Sequence, residues 1–200
     1  TILNMTAGGA RQDHSRKRRD MPRSPIVKSF WDEPTGSWQY VFHDPATMKG
    51  AIVDPVWDYD PLAAATSTRN ADAILAYVRE TGIEIVWILD THPHADHFSA
   101  APYLQEQLGA PTAIGEKVVK VQRLWKEIYH LGDDFPTDGS QWDRLWADGA
   151  RFEVGEIPVT VMFSPGHASP VNSVSIPAMI LISVDLPAPL GPTMPIFAPW

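Results

Sequence analysis

The sequence predicts a layered α/β domain, and three observations carry that reading. Ile83-Glu84-Ile85-Val86-Trp87-Ile88-Leu89 is a nearly continuous apolar, β-branched run, the pattern of a strand buried on both faces. The stretch before it places Ala71, Ile74, Leu75 and Val78 on one face at helical spacing. Strand-forming segments precede that helix in turn, and this strand-helix-strand order is the one from which layered α/β domains are built.

Residues 1–25 hold Gly8-Gly9, the basic run Arg16-Lys17-Arg18-Arg19 and prolines at 22 and 25, with no periodic apolar pattern, so they read as a disordered leader. A regular pattern begins at Ile26, and the domain is expected over residues 26–185. Trp38 to Phe42 and Ala51 to Val53 flank the turn-forming segment Asp44 to Gly50 and predict a β-hairpin; His43, outside any cluster, reads as structural. Trp57 to Ser67 reads as a loop. Asn70 is expected to cap a helix that runs to Thr81 and ends at Gly82.

After the buried strand, Ser99 to Leu108 predicts a short helix, with Pro102 near its start and Gly109 past its last turn. Pro111 to Ile114 fits a short strand. Glu116 to His130 fits an amphipathic helix with an apolar stripe of Val118, Val121, Leu124, Trp125 and Ile128, and His130 at its end suits the helix dipole better than a metal. In the irregular stretch Asp133 to Gly149, Phe135, Trp142 and Trp146 are expected to pack a loop onto the core rather than to wall a pocket. Arg151 to Val154 and Ile157 to Phe163 then predict paired strands around Gly155-Glu156, the second leading into Ser164-Pro165-Gly166-His167.

Two hundred residues with 44% hydrophobic content suffice for one domain with a substantial core. With no cysteine, disulfides, thiol nucleophiles and thiolate ligands are excluded, so any metal must be held by nitrogen and oxygen. No apolar run reaches bilayer-spanning length and no secretory leader pattern is present, so a cytoplasmic protein without a membrane partner is expected. The net charge of −8 is uneven: residues 1–20 carry five basic and two acidic groups, which leaves the body near −11 and makes nucleic acid an unsuitable partner.

The chemistry is concentrated in Asp90-Thr91-His92-Pro93-His94-Ala95-Asp96-His97, where three histidines and an aspartate fall within six residues as His-x-His-x-Asp-His. Chance gives that pattern less than about once in a thousand chains of such composition. Imidazole and carboxylate together bind zinc, iron or manganese, and keeping them clustered is costly without a cation. Residues two apart in an extended segment point the same way, so His92 and His94 can grip one ion, stiffened by Pro93, while Asp96 and His97 face a neighbouring position. The motif starts at the carboxyl end of an interior strand, where ligands collect in α/β folds. His167 follows another strand through a Pro-Gly turn and is read as a further ligand.

Beyond His167 the chain changes character. Its last 33 residues carry one charged group, Asp185, and six prolines fall between Pro177 and Trp200. Val171 to Ile176 and Ile180 to Val184 still fit strands, but residues 186–200 read as an irregular proline-rich tail.

His-x-His-x-Asp-His after a buried strand, with Ser164-Pro165-Gly166-His167 downstream, resembles the metallo-β-lactamase superfamily. The segment Ala51-Ile52-Val53-Asp54-Pro55-Val56 resembles its glyoxalase II-like and persulfide dioxygenase branch. The resemblance implies an αββα sandwich, of which only the amino-terminal half to two-thirds is accounted for. It implies one or two Zn2+ ions, the first held by His92, His94 and His167 and the second by Asp96, His97 and Asp185, with Asp96 also catalytic. It implies metal-bound hydroxide acting on a small-molecule thioester or ester, such as a glutathione conjugate. Asp185, eighteen residues after His167, stands where the family's bridging aspartate is expected but lacks the usual preceding glycine; a later histidine ligand is missing from the sequence. Two other outcomes stay open. One is a mononuclear Fe2+ persulfide dioxygenase using His94, His167 and Asp185, with a glutathione persulfide as substrate. The other is a catalytically impaired metal-binding homologue.

Overall fold

The computed structural model describes residues 24–163 and 180–184. In chain order the elements are β1 (Ile26–Asp32), β2 (Ser37–His43), β3 (Lys49–Val53), β4 (Val56–Asp60), β5 (Ala65–Ser67), α1 (Arg69–Thr81), β6 (Glu84–Leu89) and β7 (Phe98–Ser99). They continue with α2 (Ala101–Leu108), β8 (Thr112–Gly115), α3 (Val118–Ile128), β9 (Arg144–Trp146), β10 (Arg151–Val154), β11 (Ile157–Phe163) and β12 (Ile180–Val184). No described helix is long and apolar enough to cross a membrane.

Six strands form the main sheet in the order β1-β2-β3-β6-β8-β9. The first three are antiparallel; β3, β6, β8 and β9 run parallel, with α1, α2 and α3 in the crossovers. One face packs on α1 and α2, where Val41, Ile52 and Ile88 meet Ile74, Leu75, Val78 and Leu104. The other face carries Phe42, Ala51, Val53, Leu89 and Trp146 against Phe152, Val154, Val159 and Val161 of the second sheet, ordered β10-β11-β12. Helix, sheet and sheet are thus three layers of the expected αββα sandwich. Each fully buried Ile, Leu or Val side chain contributes roughly 1.5–3 kcal/mol.

The burial of β6 on both faces has a specific cause. Gly50 of β3 pairs with Ile85, but Ala51 pairs with Trp87, so Val86 is an extra residue and forms a β-bulge. The bulge breaks the period of two. Ile85 and Ile88, three apart, both face the helices, while Trp87 and Leu89 face the second sheet. Gly50 is confined by its neighbours, because a Cβ there would come within 2.6 Å of Ile83 Cγ2.

The first two helices end as predicted, with Gly82 left-handed at φ 70° after α1 and Gly109 at φ 69° after α2. Several expectations need correction. Trp57 to Ser67 is not a loop throughout: β4 pairs antiparallel with β5 and with β7 in a small third sheet. Asn70 does not cap α1; it lies in the first turn, where its backbone N–H donates to Asp58 Oδ2 at 2.9 Å and its side-chain amide donates to Asp58 Oδ1 and Asp32 Oδ1. A carboxylate from β4 thus satisfies the helix start from outside. The stretch 133–149 contains β9, whose Trp146 is buried in the core as a packing residue. Along α3 the apolar stripe gives out at Ile128, which is 56% exposed.

Candidate metal centre

The His-x-His-x-Asp-His segment is held from both ends. At its start, the backbone N–H of Asp54 donates to Leu89 O at 2.9 Å and that of Asp90 to Ala113 O at 3.0 Å, which continues the β3-β6-β8 pairing into the loop. At its end, β7 pairs with β4 and Ala100 N–H donates to Pro55 O at 2.8 Å. Asp90 sits beneath as a buried anchor: Ser99 Oγ and Trp142 Nε1 each donate to it at 2.8 Å. Burial pushes the Asp90 carboxyl above its ordinary value, against the opposing pull of His94.

Asp54 organises the first two histidines. It follows β3 in the left-handed conformation at φ 50°, which turns its carboxylate toward the end of β6. The Thr91 backbone N–H donates to Oδ1 and the Thr91 hydroxyl to Oδ2, both at 2.7 Å, and His94 Nε2 lies 3.0 Å from Oδ1. Since Thr91 spends its only hydroxyl proton on Asp54, its oxygen accepts from His92 Nδ1 at 2.8 Å, which fixes that ring's tautomer with the lone pair on Nε2. Burial works against charge on both Asp54 and His94, but their mutual attraction prevails. The Asp54 carboxyl lies below its ordinary value and His94, which also feels Asp90 and Asp96, lies above.

The remaining residues close around His94. Its ring centroid is 4.3 Å from that of His92 and 4.1 Å from that of His97. His94 Nδ1 lies 3.9 Å from Asp96 Oδ1, and His97 Nδ1 lies 3.2 Å from Asp96 Oδ2. Burial and the neighbouring His94 push His97 below its ordinary value. Asp96 is half exposed; burial raises its pKa, but hydrogen bonds from Ser37 and His97 prevail and lower it.

Two overlapping groups result, Asp54 with His92 and His94, and His94 with Asp96 and His97, each with donor atoms within 4.8 Å of one another. Both Asp54 oxygens are already engaged, so Asp54 acts by orienting His94 rather than as a ligand. His97 Nε2 is buried and has no hydrogen-bond partner among the described residues. An orphaned imidazole nitrogen in a nest of carboxylates and histidines fits a cation, and the donor set is the nitrogen and oxygen one that suits zinc or iron. His94 stands between the two groups, whereas the sequence pattern had assigned it to the first position alone.

The structure brings His92, His94, Asp96 and His97 together. His167, Asp185 and the segment Val171 to Ile176 lie outside the described residues. His43 is buried at the end of β2, paired with Gly50 at the end of the sheet opposite the motif, and His130 is exposed just past α3. Sequence reasoning gave no role to Asp54 or Ser37; the one signal for Asp54 is an aspartate before proline at the carboxyl end of a strand beside the motif strand.

The sequence profile of the Metallo-beta-lactamase superfamily matches residues 33–179. The "Beta-lactamase hydrolase-like protein" of Xylella fastidiosa is 59% identical over 150 residues, 75% of this chain and 35% of that protein. "Glyoxylase B2" of Dictyostelium discoideum is 44% identical over 148 residues, 74% of this chain and 51% of that protein. The chain therefore spans about a third to a half of these relatives' lengths. Among solved structures, a metallo-beta-lactamase from Staphylococcus aureus subsp. aureus COL aligns with a TM-score of 0.55 at 18% identity, over 80% of this chain and 39% of that one, a likeness of fold.

Proposed function

The chain belongs to the metallo-beta-lactamase superfamily, and from that premise we propose that it is a metal-dependent hydrolase of thioesters or esters, glyoxalase II-like in its choice of a small glutathione-conjugated substrate. The observation that carries this reading is the buried His97 Nε2, which has no hydrogen-bond partner among the described residues, on a ring whose centroid lies 4.1 Å from that of His94, the histidine shared by the two donor groups. The 44% identity to a protein named "Glyoxylase B2" supports the substrate class.

In this reading His92, His94, Asp96 and His97 hold the cation, with His167 and Asp185 as further ligands. A divalent ion there supplies a nucleophile at neutral pH and a Lewis acid for the scissile carbonyl. The chain's own residues do the rest. Asp54 and Thr91 set the rings of His92 and His94, and the half-exposed Asp96 accepts a hydrogen bond from the attacking water.

The test is to load the full chain with Zn2+ or with Fe2+ under anaerobic conditions and assay each form. Thiol release from a glutathione thioester by the zinc form supports the proposal. Oxygen consumption on glutathione persulfide by the iron form alone points instead to the dioxygenase chemistry. Tight metal binding with neither turnover marks the chain as a binding homologue without activity.

A further inference from the structure

The start of β2 reaches the candidate centre through one hydroxyl. Ser37 Oγ donates to Asp96 Oδ2 at 2.8 Å and lies 3.2 Å from His97 Nδ1. These contacts span about sixty residues of sequence and join two elements that are not neighbours along the chain. Behind Ser37, Thr35 Oγ1 stands 2.9 Å from Ser37 Oγ and 2.6 Å from Asp32 Oδ2. Asp32 is buried and receives the Asn70 side-chain amide at 2.9 Å. Thr35 has one hydroxyl proton, which goes to the Asp32 carboxylate, so Thr35 Oγ1 packs behind Ser37 Oγ without donating to it, and the turn limits where that oxygen can sit.

A serine hydroxyl has one proton. A carboxylate can only accept, so that proton goes to Asp96, and toward His97 the same oxygen must accept. His97 Nδ1 therefore carries the ring proton, shared between Ser37 Oγ and Asp96 Oδ2, and Nε2 carries the lone pair. Nε2 is the atom left buried without a hydrogen-bond partner among the described residues.

We propose that Ser37 is a positioning residue of the metal centre: its hydroxyl locks the His97 tautomer and ties the Asp96 carboxylate to the same ring, so that His97 Nε2 and Asp96 present their lone pairs together. This rests on the metal-centre reading above, and it assigns part of the centre's support to the first hairpin. Removing such an outer partner typically costs about 10–100-fold in metal affinity.

The test compares the full chain with Ser37→Ala and Ser37→Thr, each checked for an unchanged circular dichroism spectrum. Ser37→Cys, which fills the same volume with a weak S–H donor, replaces the alanine variant if that one does not fold. Two quantities are read. One is Co2+ affinity by competition with a chelator. The other is the pair of His97 ring nitrogen shifts in metal-free protein at about pH 8, above the ordinary histidine value of about 6.5. The expected result is a loss of about 10-fold or more in Co2+ affinity for Ser37→Ala, a move of the His97 nitrogens from a pure Nδ1–H pattern toward an averaged one, and recovery of both in Ser37→Thr. If either quantity is unchanged in Ser37→Ala, the inference is overturned. If the unmutated chain binds no Co2+, the metal-centre reading fails, and the nitrogen shifts alone decide whether Ser37 sets the tautomer.

Discussion

Asp54 Oδ1 lies 3.0 Å from His94 Nε2, both side chains buried, in a contact between the ends of two parallel strands. The charge of Asp54 is stabilised by two Thr91 hydrogen bonds as well as by the imidazole. One carboxylate thereby fixes the tautomer of His92 through Thr91 and the orientation of His94 directly, and it leaves His94 Nδ1 on the side of Asp96 and His97.

Asp54→Asn should therefore weaken metal binding while sparing the fold. Asparagine tolerates the left-handed backbone that Asp54 adopts at φ 50° and keeps one oxygen to accept from the Thr91 N–H, so the change removes the charge and one acceptor while keeping the shape. A loss of about 10–100-fold in Zn2+ affinity is expected, read by chelator competition. Affinity within twofold of the unmutated chain would show that Asp54 does not support His94.

Trp142→Phe should loosen the segment before β9. The indole N–H donates to Asp90 Oδ2 at 2.8 Å, and phenylalanine keeps a smaller aromatic ring but withdraws the donor from a buried carboxylate. A cost of about 1–3 kcal/mol is expected, measured as a lower urea midpoint. Hydrogen exchange would show faster opening near Ser140 to Asp143.

Gly155→Ala should destabilise the contact between the two sheets. Gly155 is left-handed at φ 65°, and an added Cβ would collide with Thr47 Oγ1 and come within 2.6 Å of Asp44 Oδ2. That Asp44 oxygen accepts from Glu156 N–H at 2.9 Å, so the turn cannot move away without losing the bond. Backbone strain and overpacking together should cost about 2–4 kcal/mol, again read by denaturant.

Asp143 makes part of the stability pH-dependent. Its Oδ2 accepts from Thr112 N–H at 2.8 Å, Thr112 Oγ1 at 3.0 Å and Gln105 Nε2 at 2.5 Å, and the Thr112 bonds hold its pKa below the ordinary value of 3.8. A depressed carboxyl stabilises the fold fully above its unfolded pKa, and that contribution is lost as pH falls through the folded one. Asp143→Asn should therefore lower the urea midpoint at pH 7, and the gap to the unmutated chain should narrow as the pH falls below 4. A gap independent of pH would remove Asp143 as the source.

Much of the fold and half of the centre could be read from sequence for one reason: the information is local. The apolar run of β6, the helical stripe of Ala71 to Val78 and the six-residue motif each lie within one segment. What escaped is held by distant partners. β4 and β5 span only five and three residues and exist by pairing, β4 with β7 beyond the motif. β9 is three residues of a loop-like stretch, recruited by parallel pairing with β8. Asn70 looked like a cap because its type favours that role, but Asp58 from β4 supplies the acceptor instead. Asp54 and Ser37 carry no pattern of their own; each becomes part of the centre only once the sheet sets it beside His94 or Asp96.

The most direct test of the account is a count of metal ions per chain. Elemental analysis of the full chain, equilibrated with Zn2+ and passed through a desalting column, is predicted to find at least one ion per chain, and His94→Ala, which removes the ring shared by both groups, is predicted to fall close to zero with its circular dichroism unchanged. A chain that retains no metal, or a His94→Ala variant that retains as much as the unmutated chain, would contradict the central claim that these side chains converge on a cation.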